Sequence, residues 1–157
     1  MEKISTCLWF NGQAEEAAKF YTSIFKGSRI DKYSYYGAES HGPEGSVMTV
    51  TFQLNGMEFM ALNGGPEYSF TPAISLVVYC EDQPGVDYYW ERLSAGGEKG
   101  VCGWLTDQFG VSWQIVPTIL GELMASKDAR KAENVMHALL QMTKLDIAQL
   151  KSAYEKG

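Results

Sequence analysis

The chain is poor in the residues that hold metals. It has two histidines, His41 and His137, and three cysteines, Cys7, Cys80 and Cys102. The cysteines are far apart and no Cys-x-x-Cys occurs, which excludes a zinc knuckle and a disulfide framework. Each reads first as a small buried apolar residue in a reducing, cytoplasmic setting. Positive charge is also scarce: 13 Lys and Arg against 19 Asp and Glu leave a net charge of -6. That speaks against nucleic acid or an anionic membrane as partner, since both are bound through Lys and Arg. No apolar run approaches the ~20 residues of a membrane helix. Met1 to Thr6 contain no long apolar stretch, so no secretory leader is expected there. No Gly-rich loop is followed by Lys-Ser or Lys-Thr, and no Gly-rich strand-to-helix turn leads to an acidic residue for a ribose. Neither a phosphate loop nor a nucleotide-like cofactor site is therefore expected.

What is present suits a single α+β domain. Hydrophobic residues make up 45% of the 157 and charged residues 20%, enough for a real core. Residues 4–10 read as a strand. Asn11 or Gly12 then caps a helix with Glu15 and Glu16 in its first turn, where the dipole favours acids. Ala17, Tyr21 and Ile24 mark its buried face, and Gly27 stops it. Residues 29–36 are a strand, 37–46 a Gly- and Pro-bearing loop, and 47–62 a hairpin turning at Asn55-Gly56. After the break at Asn63-Gly64-Gly65-Pro66, residues 74–80 form another strand. Pro84 sits just inside a second helix with Val86, Trp90 and Leu93 buried. Short strands follow near Val101, at Trp104-Leu105 and over residues 111–116.

The two halves repeat. A shift of 69 puts Ala17 on Val86, Tyr21 on Trp90, Ile24 on Leu93, Gly27 on Gly96 and Thr6 on Ser75. Farther on, a shift of 54 puts Phe59 on Trp113 and Met60 on Gln114. The difference of 15 residues is an insertion in the first copy, assigned mostly to the 37–46 loop. Two strand-helix-strand copies, over residues 1–66 and 72–117, give paired sheets with helices outside and a cleft on the side away from each helix.

Residues 118–157 extend beyond the second copy. Ser126 caps a helix with Val135, Leu139 and Met142 on one face. Asp146-x-x-Gln149 reads as a capping-box-like start, with Leu145 stapled against Leu150. Helices this short do not stand alone, so they dock on the body or on a partner subunit.

The segments Cys7-Leu8-Trp9-Phe10-Asn11-Gly12-Gln13-Ala14-Glu15-Glu16-Ala17, Met60 to Pro66, Cys102 to Asp107 and Gly110 to Pro117 resemble the PhnB-like or "3-demethylubiquinone-9 3-methyltransferase" family. That family belongs to the glyoxalase/bleomycin-resistance/dioxygenase group, the vicinal oxygen chelate superfamily. The resemblance implies two βαβββ modules and a homodimer. In metal-using members, four strand positions present His, Glu or Gln to one divalent ion. Here they fall on or near Thr6, Met60, Ser75 and Gln114, with Thr6 and Met60 open to a slip of one residue. Thr, Ser and Met are poor ligands for such ions, so no metal and no cofactor is expected.

The same residues supply the site candidates. Gln114, flanked by Trp113 and Ile115 of opposite facing, points inward and either orients a ligand with Ser75 or Thr6, or is a satisfied core amide. Trp9, Trp104 and Trp113 either line an apolar pocket or pack in the core. Cys102 has no adjacent base to make a thiolate. Asn63-Gly64-Gly65 either brings N–H groups to a ligand or is only a turn. Met60 joins the ligand-binding candidates by its place in the repeat. Asp107 reads as the turn before the last strand, and Asp82 as a helix cap. Two readings remain open: a metal-free enzyme on a small organic molecule, and a binding module that sequesters an aromatic compound. Methyl transfer from S-adenosylmethionine is disfavoured.

Overall fold

The computed structural model describes residues 4–156, so Met1 to Lys3, part of the leader reading, lie outside the described residues. The chain divides into two compact units between Phe70 and Thr71. The architecture is the expected α+β one, with a four-stranded mixed sheet in each unit.

The first unit runs β1 (Thr6–Phe10), α1 (Ala14–Ile24), β2 (Arg29–Tyr35), β3 (Val47–Leu54) and β4 (Met57–Asn63). The sheet order is β1-β4-β3-β2, with β1 parallel to β4 and the other pairs antiparallel. α1 buries Ala14, Ala17, Ala18, Tyr21 and Ile24. The alternate strand residues Val50, Phe52, Leu54, Phe59 and Ala61 are buried too, and Tyr21 stacks on Phe52 at 6.2 Å. Period 3.6 on the helix and period 2 on the strands thus give one apolar face each. The hairpin turns at Asn55-Gly56 as expected, both with positive φ (50° and 86°), the combination a two-residue turn needs. The helix start differs from expectation. Gln13 is the N-cap and makes no side-chain cap bond; Asn63 Oδ1, reaching over from β4, accepts from Ala14 N at 2.8 Å.

The second unit runs β5 (Ser75–Cys80), α2 (Gln83–Ser94), β6 (Glu98–Lys99), β7 (Trp104–Thr106), β8 (Ser112–Pro117), α3 (Thr118–Met124), α4 (Ala129–Leu140) and α5 (Ile147–Glu155). The order β5-β8-β7-β6 repeats that of the first sheet. Asp82 caps α2 through Gly85 N at 2.9 Å, and Val86, Trp90 and Leu93 are buried as expected.

The structure corrects two parts of the repeat. The offset of 69 holds along the helices, but the strand register pairs Thr6 with Phe59 and Leu76 with Trp113. With Phe59 matching Trp113, β1 is offset from β5 by 70 (76 minus 6). One more residue separates Phe10 from Ala14 than would match Cys80 to Gln83. The extra length of the first copy is also mostly strand, not loop. β2 and β3 have 7 and 8 residues, where β6 and β7 have 2 and 3.

The C-terminal extension packs within the second unit. Val135, Met142, Leu145 and Leu150 form its core, with Leu120, Leu123, Leu139 and Tyr154 against it. Cys102 N and Gly103 N donate to Met142 O and Thr143 O, both at 2.8 Å. The Gln83 side chain bonds Leu145 O at 3.0 Å and Ile147 N at 2.8 Å, and Lys144 Nζ meets Asp87 Oδ1 at 2.9 Å. Asp146 caps α5 through Gln149 N at 3.0 Å. Ser126 does not cap α4; Asp128 does, accepting from Arg130 N at 3.1 Å, while Ser126 Oγ accepts from Asp128 N. α3 was not expected from the sequence.

Candidate functional site

Strand alternation in the second unit places Leu76, Val78, Leu105, Trp113 and Ile115 on the buried face. Ser75, Val77, Tyr79, Trp104 and Gln114 take the open one. Gln114 stands opposite Trp104 on one neighbouring strand and opposite Val77 on the other. Its Nε2 donates to Ser75 Oγ at 2.9 Å. Two of the sequence-predicted catalytic candidates are therefore in direct contact, with the half-buried Trp104 alongside. Val77 and Tyr79 complete the face with 39% and 69% exposure.

Thr6, the third candidate, is not on the equivalent face of the first unit. It shares the parity of the buried Leu8 and Phe10, and Cys7 is the residue paired with Met60. The extra loop residue before α1 is the physical reason: it changes the strand offset from odd to even and reverses the facing. Met60 does lie on the open face of the first sheet, beside Cys7 and Thr51.

Three other candidates are occupied with holding the structure. Trp113 is buried, and its indole Nε1 donates to Asp107 Oδ2 at 2.8 Å, so it faces the core and not a ligand. Asp107 Oδ1 also accepts from Phe109 N and Val111 N, making the expected turn. Asn63 uses its amide on Ala14 N and on Val47 O, and its carbonyl accepts from the Tyr36 hydroxyl. Cys102 has φ +58° and its backbone N–H anchors the extension.

Trp9 donates from Nε1 to Gly65 O at 2.9 Å and meets Tyr68 edge-on at 5.0 Å. A Cβ on Gly64 would lie 2.4 Å from the Trp9 ring, so glycine is required for that contact. This turn borders a cleft of about 450 Å³ in the first unit, whose walls include Glu15, Tyr36, His41 and Asn63. Sequence reasoning missed it. The only signal was that a Gly-Pro loop and the Asn-Gly-Gly turn both interrupt one sheet.

Burial pushes the Cys80 thiol up to about 11, with Asp82 adding to the effect, and burial also raises Cys7. Neither is prepared to act as a thiolate. The donor set does not fit a divalent metal. The four implied positions offer a hydroxyl or thiol, a thioether, a hydroxyl and one amide. Among the described residues no three His, Cys, Asp or Glu side chains converge to hold an ion. No helix among them is long and apolar enough to cross a membrane.

A comparison with curated proteins finds no match. Among solved structures, the PhnB protein of Bacillus cereus is 40% identical, with a TM-score of 0.68 over 74% of this chain and 100% of that one. Two more distant structures share the fold. One is a Pseudomonas aeruginosa protein (20% identity, TM-score 0.62, 74% of this chain and 98% of that one). The other is the fosfomycin resistance protein FosX of Mesorhizobium loti (15%, 0.56, 80% and 100%). Residues 2–116 match the family model described as 3-demethylubiquinone-9 3-methyltransferase. The methyltransferase in that description has no counterpart in this architecture. Two four-stranded mixed sheets replace the doubly wound parallel sheet whose Gly-rich turn holds a nucleotide-like cofactor. With most of its length matched by the family model and by the Bacillus cereus structure, the chain belongs to the 3-demethylubiquinone-9 3-methyltransferase (PhnB-like) family.

Proposed function

We propose that this protein binds a small, largely apolar organic molecule on the open face of the second sheet, without a catalytic metal and without turning it over. The Gln114–Ser75 hydrogen bond carries the reading. The bond uses one amide hydrogen of Gln114 and one lone pair of Ser75. The Ser75 O–H is left to donate and Gln114 Oε1 to accept. Two fixed polar atoms beside the Trp104 ring and Val77 form a mostly apolar surface with a few oriented hydrogen-bonding groups, the usual make-up of a small-molecule site.

Acid–base chemistry has little to work with there. The titratable side chains among the described strand residues of this face are Tyr79 and Glu98. Glu98 pairs with Thr106 on the outermost strand, two strands from β8, or about 10 Å. That is beyond the hydrogen-bond reach a general base needs. FosX, which shares the fold, is by its name a fosfomycin resistance protein, and a protective role by holding a small molecule is in keeping with the proposed site. The proposal includes a homodimer, as the family likeness implies, and a reducing, cytoplasmic setting, which the free thiols suit.

Calorimetric titration of a panel of neutral aromatic compounds, with product analysis of each mixture, tests it. The expected result is saturable binding with the compound recovered unchanged. Binding should weaken in Ser75→Ala and Gln114→Leu, by about tenfold for the loss of one well-made hydrogen bond. Conversion of a bound compound, or equal affinity in both variants, overturns the reading.

A further inference from the structure

The C-terminal extension lies outside the residues that match the family model, and it carries a groove of its own. α4 contributes Arg130, Asn134 and His137, spaced i, i+4, i+7. α5 contributes Gln149 and Ser152, and Lys156, its C-cap, follows on the same side, spaced i, i+3, i+7. Each set is one face of its helix. The opposite faces meet in the buried cluster that includes Val135 and Leu150. The groove is therefore the polar seam of the helix pair. Its volume is about 500 Å³, and Ala138 and Ala153 line it where larger side chains would fill it. Arg130, on the first turn of α4, shares the groove with Lys156, at the end of α5.

The lining carries charge of one sign. The chain as a whole carries -6, yet no Asp or Glu lines this groove. Of the twelve described Lys and Arg, four lie against carboxylates. Arg130 and Lys156 are among the eight that have no ion pair, and they are the two that line this groove. Asp128 caps α4. Asp146 caps α5 and also accepts from the side chain of the lining residue Gln149 at 3.3 Å. Glu133 and Glu155 are exposed and do not line the groove. Two unneutralised cations in an acid-free seam favour a ligand of concentrated negative charge. The Asn134 amide, the Gln149 Oε1 (its Nε2 donates to Asp146 Oδ2) and the Ser152 hydroxyl can hydrogen-bond a polar body attached to it.

We propose that the α4–α5 groove is a binding site for a small phosphorylated molecule, with Arg130 and Lys156 holding the phosphate and Asn134, His137, Gln149 and Ser152 meeting the rest. This site is independent of the Ser75–Gln114 face.

The test uses the full-length chain and inorganic pyrophosphate as probe, followed by amide chemical-shift perturbation at constant ionic strength. Saturable shifts confined to residues of α4 and α5 are expected. Arg130→Ala and Lys156→Ala should each weaken the apparent affinity by about tenfold, the scale of one charge-assisted hydrogen bond. Glu133→Ala, outside the lining, should not weaken it. Both cation positions are exposed, so folding is checked by the unchanged amide spectrum of the unliganded variants. No saturation in the millimolar range, shifts spread over the whole surface, or undiminished binding in the folded Arg130 and Lys156 variants would each overturn the assignment.

Discussion

Asp107→Ala should be among the most damaging single changes in this protein. The carboxylate is 3% exposed. It accepts from Phe109 N at 2.9 Å, Val111 N at 3.0 Å and Trp113 Nε1 at 2.8 Å. The Val111 and Trp113 bonds are buried, so alanine leaves two donors with neither protein nor water to bond. Each orphaned donor costs about 1–3 kcal/mol, so the pair costs about 2–6 kcal/mol, a large share of the ~5–15 kcal/mol total typical of a domain. Asp107→Asn keeps one oxygen for the two backbone N–H groups but turns an NH₂ toward the indole N–H. About 1–3 kcal/mol, one donor's worth, is expected for it. Urea unfolding followed by tryptophan fluorescence measures both. The midpoint should fall with the slope preserved, further for alanine than for asparagine. An alanine variant within about 0.5 kcal/mol of the parent, the range of an ordinary surface change, would refute the claim that this carboxylate builds the turn before β8.

Further outcomes follow from the same contacts. Gly103 has φ +84°, and a Cβ there would lie 2.9 Å from Ile115 O and 3.0 Å from Leu145 Cγ. Gly103→Ala should loosen the extension, seen as faster proteolysis after residue 117, whereas an unchanged digest would contradict the docking described. With its pKa pushed up to about 11, the buried Cys80 thiol should react with a thiol reagent at neutral pH much more slowly than when unfolded in urea; equal rates would be inconsistent with its burial. Hydrogen bonds from Gln83 and then Lys144 hold the Asp87 carboxyl below the ordinary range. A lowered folded pKa means stability that is present above the unfolded value, about 3.9, and lost as pH falls through the folded one. The stability gap between the parent and Asp87→Asn should therefore close on acidification below about pH 4, and a gap that widens there would reverse the sign of the argument.

Much of the fold was legible because its signals are local. Ala17, Tyr21 and Ile24, and again Val86, Trp90 and Leu93, fall at helical spacing and are all buried. Asn55-Gly56 could make only one kind of turn. The misses came where a long-range partner decides. Thr6 was set facing the wrong way by a single loop residue, visible only once the β1–β4 register is known. Asn63 reads as a turn residue, but its amide serves the N-terminus of a helix 49 residues away. Trp113 has the size for a ligand platform, and only the buried Asp107 carboxylate shows that it is held in the core. α3 carries Leu120, Leu123 and Met124, packed against the extension's core, but its seven residues span about two turns directly after β8, too short a run for the periodicity to stand out. The repeat and the family's strand positions put Gln114 and Ser75 at one site, each toward a ligand, but the bond between them depends on the β5–β8 register and was not legible.

The decisive measurement is equilibrium dialysis of a retained aromatic ligand against protein before and after exhaustive chelation. A site made of a hydroxyl, an amide and an indole predicts the same dissociation constant in both preparations, and a weaker one once Gln114 becomes leucine. Loss of retention on chelation, restored by adding back a divalent ion, would contradict it.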